Sequence, residues 1–470
     1  MIANGMHRLI AFAAMAALVL AACGGGSGNV AGIDRTGSPV IASYGTVTAF
    51  GSVVVNGVHY DTSQATFLVD GDAGTQADLA IGDVVLVKGT LDAGGATGTA
   101  TSVRLDNNVR GPIASIDTTT DTFAVLGQVV RVSADTSFDG AIQPPALATL
   151  AVGDVVQVSG LVQSDGSVNA TRIERRPIAS EYEVSGTVAG HQVAPRLFAL
   201  NRLIVDYQLA QLRGFSTIAN GQHVLVRGPL VNGVLRATRV EYLGNGLGGA
   251  SGEGREVEGL ITRFVSTTDF SVSGLAVTTT SQTIYEGGTA ADLALNVKVE
   301  AEGRLNDVGV LVATKLEIRR SAPVRIVATV DSLNVAASSF VVLGVTVKVD
   351  ALTRLEDQSS AQLRPFALGN VNAGDYVEIR GTETPAGSGE VLATLLERTN
   401  SQQDTQLQGF VQSVTPPLFT VLGVQISTNG GTQFGGVSGV GQLAVGDLVK
   451  VVGQKIGDRA LNAREVEVDD

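Results

Sequence analysis

Two kinds of residue in this chain could do chemistry by type and spacing: a carboxylate that recurs behind a glycine, and a sparse set of histidines. The Gly-Asp pair stands at Gly82-Asp83, Gly153-Asp154, Gly374-Asp375 and Gly446-Asp447. A carboxylate repeated four times could bind a cation or work as an acid–base group. The pair also has a plainer use, since glycine accepts a turn with positive φ and aspartate caps the backbone beside it. Gln222 and Asn296-Val297 stand where two further copies would carry it, so turn chemistry is the expected role. His59 and His223 fall at outward strand positions and His191 in a loop. No two have metal-ligand spacing, although His191 and His223 share one segment, so all three are expected as solvated surface residues. Asp70-Gly71-Asp72-Ala73-Gly74 has the start of a calcium loop without its later acidic ligands, and reads as a turn. The chain lacks a Gly-x-Ser-x-Gly elbow and a phosphate-cradling loop ending in Lys-Ser or Lys-Thr. No catalytic residue, cofactor or metal is expected.

The remaining reactive group is the sole cysteine, Cys23, and its surroundings give it a different use. His7 and Arg8 precede an apolar run at residues 9–20 (LIAFAAMAALVL), the length of a signal-peptide core and too short to span a bilayer comfortably. The run ends in Leu20-Ala21-Ala22-Cys23, which resembles the bacterial lipobox. That resemblance implies cleavage of residues 1–22, lipidation of Cys23 and attachment to a membrane through the lipid. Several acyl chains on one residue suffice for stable anchoring. Residues 24–39 (GGGSGNVAGIDRTGSP) read as a flexible tether, so that residues 23–40 form the lipidated cysteine and its leash. Gly24 after the cysteine, where enterobacterial lipoproteins kept at the inner membrane carry Asp, implies the outer membrane, with the face left open. A single cysteine excludes an intrachain disulfide.

Composition sets the elements that must carry all this. Of 470 residues, 58 are Gly, 44% are hydrophobic and only 16% are charged, which excludes a disordered chain. Trp is absent, and Phe and Tyr number 14 and 7, so Val, Leu, Ile and Ala must fill the core, a mix suited to strands. The balance of 32 basic against 45 acidic residues leaves only scattered doublets such as Arg175-Arg176 and Arg319-Arg320. Nucleic acid is not expected as a partner, because phosphate binding needs clustered cations.

The strands come in six copies. A segment ending in Gly recurs at 82–89 (GDVVLVKG), 153–160 (GDVVQVSG), 221–228 (GQHVLVRG), 296–303 (NVKVEAEG), 374–381 (GDYVEIRG) and 446–453 (GDLVKVVG). Val85 and Val87, Val156 and Val158, and their counterparts alternate with freely varied residues, which marks one inward face. Upstream of each lies a hairpin such as 123–130 (FAVLGQVV) or 340–347 (FVVLGVTV), and downstream a closing strand with Ala, usually followed by Thr. The expected fold is all-β, with six tandem OB-like barrels at residues 41–107, 108–177, 178–243, 255–321, 322–401 and 402–470, and a Gly-rich linker at 244–254. A single helical turn is expected near Asp78-Leu79 or Asp292-Leu293. The copies with Gln222 and Asn296-Val297 are expected to turn differently.

The hairpin with Gly, the Gly-Asp-x-Val-x-Val-x-Gly strand and the Ala-Thr strand together resemble an uncharacterised bacterial domain-of-unknown-function family, found in tandem in exported lipoproteins. The resemblance covers almost all of the chain after residue 40 and implies no activity. The expected role is therefore a non-catalytic, lipid-anchored spacer or multivalent array in the cell envelope, with an envelope protein or glycan as partner. A carbohydrate- or peptide-binding lipoprotein is the alternative, and an envelope hydrolase a more distant one. Six barrels in a line would span about 160 Å. The linker is then the hinge between two halves, and excising residues 255–320 should only shorten the array.

Overall fold

The computed structural model describes residues 40–469, apart from 51, 134, 144, 215, 216, 245, 246, 320–322, 386 and 403. Cys23, Leu20, Ala21 and Ala22, with the leader and tether, lie outside the described residues. Strands dominate, and the only helices among the described residues are single 3-10 turns, two of them at Gln76–Asp78 and Ala290–Asp292 as expected.

The first copy shows the plan. An opening strand Val40–Ala49 leads into the hairpin Val53–Val55 and Val58–Asp61, then a fourth strand Val84–Leu91 and a closing strand Thr97–Leu105. The opening strand pairs antiparallel with the fourth (Ile41 opposite Gly89), and the fourth with the closing strand (Val87 opposite Val103). The hairpin bridges the gap: Val55 faces Val47 of the opening strand, and Tyr60 runs parallel beside Gly98 of the closing strand. Five strands thus close on themselves, which leaves no open edge in the ring. Val85, Val87, Val156, Val158 and their counterparts, together with the hairpin residues Phe123, Phe198, Phe270, Phe340 and Phe419, are all buried in barrel cores.

Two glycines in five of the copies, and the second alone in the fourth, make the ring possible. The first opens the turn before the fourth strand, with φ of 93° at Gly82 and Gly153, 87° at Gly221, 96° at Gly374 and 99° at Gly446. The second, at the end of the repeated segment, sits where the fourth and closing strands slip register at a bulge. A Cβ there would lie 2.1 Å from Thr99 O at Gly89, 2.0 Å from Val312 O at Gly303 and 2.2 Å from Leu392 O at Gly381. Only glycine lets the two backbones come that close, and the bulge supplies the bend that closure requires.

Residues 178–243 follow the same plan with interrupted strands. The opening strand splits into Tyr182–Thr187 and Ala189–Gln192, the fourth into His223–Gly228 and Leu230–Val231, and the closing into Val234–Arg236 and Arg239–Tyr242. Pro229 follows the bulge glycine directly and has no N–H to give the ladder, which accounts for the break in the fourth strand.

The barrels do not stand in a line. The described residues form one compact unit, joined through the opening strands. Barrels 1 and 4 pair there in parallel (Ile41 opposite Gly254), barrels 5 and 6 antiparallel (Ile326 opposite Leu407), and barrels 2 and 3 antiparallel (Val109 opposite Val184). Barrels 2 and 3 share one continuous core, as do barrels 5 and 6. The expected hinge is also absent: Leu247 packs into the fourth core, Arg255 donates to Gly248 O at 2.9 Å, and the paired barrels 1 and 4 lie on opposite sides of the linker. Barrel 4 is therefore a partner of barrel 1, and excising it would expose that partner. Alternation along a strand reports which side faces its own core and is silent on what covers the other side, so the lateral packing had no sequence signal.

Candidate functional site

The repeated carboxylate serves the turn. Asp83 accepts from Ala80 N–H at 2.7 Å, Asp154 from Ala151 N–H at 3.0 Å, Asp375 from Asn372 N–H at 2.9 Å and Asp447 from Ala444 N–H at 2.8 Å. In the third copy Gln222 accepts the same bond from Ala219 N–H at 2.7 Å, and in the fourth Asn296 takes the glycine's place with φ of 64°. The expectation that these two copies turn differently is overturned. In all six, the N–H of the turn residue donates to the opening strand at Val47, Ile113, Val188, Ile261, Val330 or Val411. The shared threonine is spent in the same way: Thr101, Thr171, Thr238, Thr314 and Thr394 each donate to the carbonyl just before the bulge glycine.

Polar side chains gather elsewhere, on the outward faces of the opening, fourth and closing strands and on the short strands Asp72–Gly74 and Arg354–Asp357, where barrels meet. Between barrels 2 and 5, Arg172 donates to Glu174 at 2.8 Å and to Ile81 O at 2.9 Å, and lies 3.4 Å from Glu356. From barrel 5, Arg380 donates to Thr136 O at 2.8 Å, and Arg354 reaches Ser137 and Thr171 O at 3.2 Å. Between barrels 1 and 4, Ser43 donates to Glu256 at 2.7 Å and Thr46 N–H to Glu258 at 2.9 Å. Between barrels 1 and 3, Asp72 accepts from Arg227 at 2.7 Å and Arg239 at 2.8 Å. Apolar contact adds to this where Val84, Leu161 and Leu260, from barrels 1, 2 and 4, pack together with Tyr44.

Burial and pairing pull these acids apart. Burial opposes the charge of Glu258, yet Lys298 and Arg319 hold its carboxyl at about 2. Burial likewise opposes Glu378, which Arg380 and Arg325 keep low. Burial raises Glu397 well above the usual range, with repulsion from Glu378 directly opposite adding to it. Burial also lifts Glu300 against the pull of Arg319, Glu356 against the pull of Arg172, and Asp83 to about 7. Perturbed acids of this kind can mark a catalytic cleft. Here Glu258, Glu300, Glu356, Glu378 and Glu397 are covered by neighbouring strands and barrels, so their chemistry is that of an interface.

The histidines divide. His59 is exposed as expected; His191 Nε2 lies 2.7 Å from the Tyr207 hydroxyl; His223 is half-buried, and burial followed by Arg104 lowers its pKa. The last two thus depart from the expected solvated state, His191 because Tyr207 of its own barrel takes its ring nitrogen and His223 because it is partly covered near Arg104 of barrel 1. Asp70 and Asp72 do not form a calcium loop: Asp70 accepts from Asn107 N–H at 2.8 Å, and Asp72 is taken by the two arginines. Among the described residues no group of three or more His, Cys, Asp or Glu could hold a metal ion. An open depression beside Gly248, Gly249, Leu275 and Val308 has no titratable side chain in its lining.

A family model described as a domain of unknown function (DUF5666) matches residues 44–104, 110–174, 258–317, 327–397 and 408–467. These are barrels 1, 2, 4, 5 and 6; the unmatched copy is the barrel with interrupted strands. A comparison with curated proteins finds no match.

Proposed function

The chain belongs to the DUF5666 family, and from that premise we propose that it is a non-catalytic interaction body, held in the bacterial cell envelope by a lipid on Cys23. One observation carries the reading: the polar residues that the copies share are spent on their own backbones, as Asp83, Gln222 and Thr171 illustrate. A repeated active site would leave a shared polar group turned to solvent. The outward residues differ from copy to copy, so one compact body offers several dissimilar surfaces to partners, and a spacer role would rest on its bulk. The apolar run before Cys23 supports the anchored location, with the outer membrane as the proposed address.

Crosslinking in cells followed by identification of the co-purified proteins tests the interaction role. Discrete envelope partners are expected, and a robust turnover abolished by one point substitution in a folded chain would refute it. Mass spectrometry of the mature N-terminus should find acyl groups on Cys23. An unmodified chain starting elsewhere removes the anchor from the reading.

A further inference from the structure

Barrel 3 differs from the other five in what it turns outward. Its residues 178–243 hold six arginines against four carboxylates, a net +2, whereas residues 41–107 hold two basic against seven acidic residues and every other barrel is also net negative. Across its sheet, direct cross-strand neighbours form one outward row: Ala189, Ala199, Ile204, Val234 and Val231. Ile204 is 42% exposed and Val231 37%. Corresponding outward pairs in barrels 1, 5 and 6 are polar or mixed, namely His59 with Thr97, Thr346 with Glu390 and Gln425 with Ala460.

The row leads to a tip made of two loops tied to each other. Tyr207 N–H donates to Arg196 O at 3.1 Å, Gln208 Nε2 to Pro195 O at 3.0 Å and Arg196 Nη1 to Gln208 O at 3.3 Å. A third loop joins through His191 N–H, which donates to Asn220 at 2.9 Å. The tip presents Leu209, 94% exposed, and Val193, 78% exposed, with exposed Arg196 between the loops. The loop after the hairpin is polar in barrel 1 (Thr62, Ser63, Gln64), and both loops are polar in barrel 4 (Thr267, Thr268; Thr280, Ser281, Gln282).

Aliphatic side chains on a fixed tip, beside arginine, on the one cationic part of an acidic chain, match an anionic bilayer surface. Charges beyond about 8 Å are screened at physiological salt, so local sign decides and the rest of the chain does not forbid the approach. We propose that barrel 3 docks on anionic lipid through Val193, Leu209 and Arg196, with the Ile204 row as its flank. The inference rests on the anchored reading only for proximity: a lipid on a 16-residue tether, with an end-to-end distance of about 22 Å, would make even weak docking persistent.

Co-sedimentation of the chain from residue 24 onward, which holds every described residue and lacks Cys23, with phosphatidylcholine vesicles with or without phosphatidylglycerol tests it. Binding is expected with phosphatidylglycerol and much less without it. Val193→Ser with Leu209→Ser should weaken it by about tenfold or more, as two aliphatic side chains leave the apolar phase. Arg196→Glu should remove the preference for anionic lipid, and Val308→Ser, at an equally exposed site in barrel 4, should change nothing. No sedimentation with either vesicle, or sedimentation indifferent to these variants, overturns the proposal. A concentration-dependent dimer lost in Ile204→Glu, without lipid binding, overturns it in favour of a second copy as occupant. Failure here leaves lipidation of Cys23 standing, since that is read separately from the mature N-terminus.

Discussion

Replacing Arg172 with methionine removes the cation at the meeting point of barrels 1, 2 and 5. Its guanidinium serves Glu174, the carbonyl of Ile81 and Glu356, and its side chain is only 4% exposed. Glu174 keeps Arg176 as a partner, so the group that loses most is Glu356, itself 4% exposed and left with the Gln358 amide at 2.7 Å and the weaker pull of Arg364 and Arg354. Removing the cation beside an ionised, buried carboxylate costs about 3–5 kcal/mol, and the orphaned Ile81 carbonyl adds about 1 kcal/mol. Burial already raises the Glu356 pKa against the pull of Arg172, so loss of the arginine raises it further. As the pH falls the carboxyl takes a proton instead of bearing a charge without its cation, and the penalty shrinks by up to about 1.4 kcal/mol for each pH unit. Urea denaturation of the wild type and Arg172→Met at pH 8 and pH 5 should show a loss of about 4 kcal/mol at the higher pH and less than half that at the lower. In a Glu356→Gln background the same substitution should cost about 1–2 kcal/mol at either pH. An equal loss at both pH values, or no relief from Glu356→Gln, would refute a shared buried charge at this junction.

The other predictions are briefer. Asp83 and Asp106, pushed up by burial to about 7 and about 6, together with the raised Glu300, Glu356 and Glu397, hold protons in the folded chain that the unfolded chain releases near pH 4. The folded state therefore binds more protons between about pH 4 and 7, so the melting temperature should fall as pH rises through that window, and a rise would contradict it. Gly381→Ala should lower stability by about 1–3 kcal/mol or more, as its Cβ would meet Leu392 O at 2.2 Å, while Gly430→Ala, with open space around it, should stay within about 0.5 kcal/mol; equal effects would remove the bulge argument. Val156→Asp places a charge in the second core and should cost several kcal/mol. Gln157→Asp, which loses contacts to Glu174 at 3.4 Å and Arg176 at 3.3 Å, should cost about 1–3 kcal/mol, and thermal melts that rank the two the other way would reverse the strand's faces.

What could be read from the sequence follows from what repeats. Val156 and Val158 alternate in step with the pleat, so their burial was legible, and the Gly-Asp turn was legible because turn chemistry is local. The bulge glycine was visible as a repeated residue, but its cause was not, because the clash at Gly381 involves a carbonyl eleven residues later. Gln157 and Glu300 looked like solvated positions, since a polar residue between two core residues is the ordinary pattern of an exposed face. Their burial depends on a second barrel far along the chain, and no local period encodes that. The linear array with a hinge at residues 244–254 failed for the same reason. In barrel 3, Pro229 was the one local sign that this copy would be interrupted.

Whether six barrels act as one body is tested most directly by the radius of gyration of the chain from residue 24 onward, measured by small-angle X-ray scattering near pH 7. A compact body of this length should give about 22 Å, raised slightly by the tether. A row of independent barrels about 160 Å long would give about 46 Å. The lower value is what the pairing of barrel 1 with 4, 2 with 3 and 5 with 6 predicts, and the higher would contradict it.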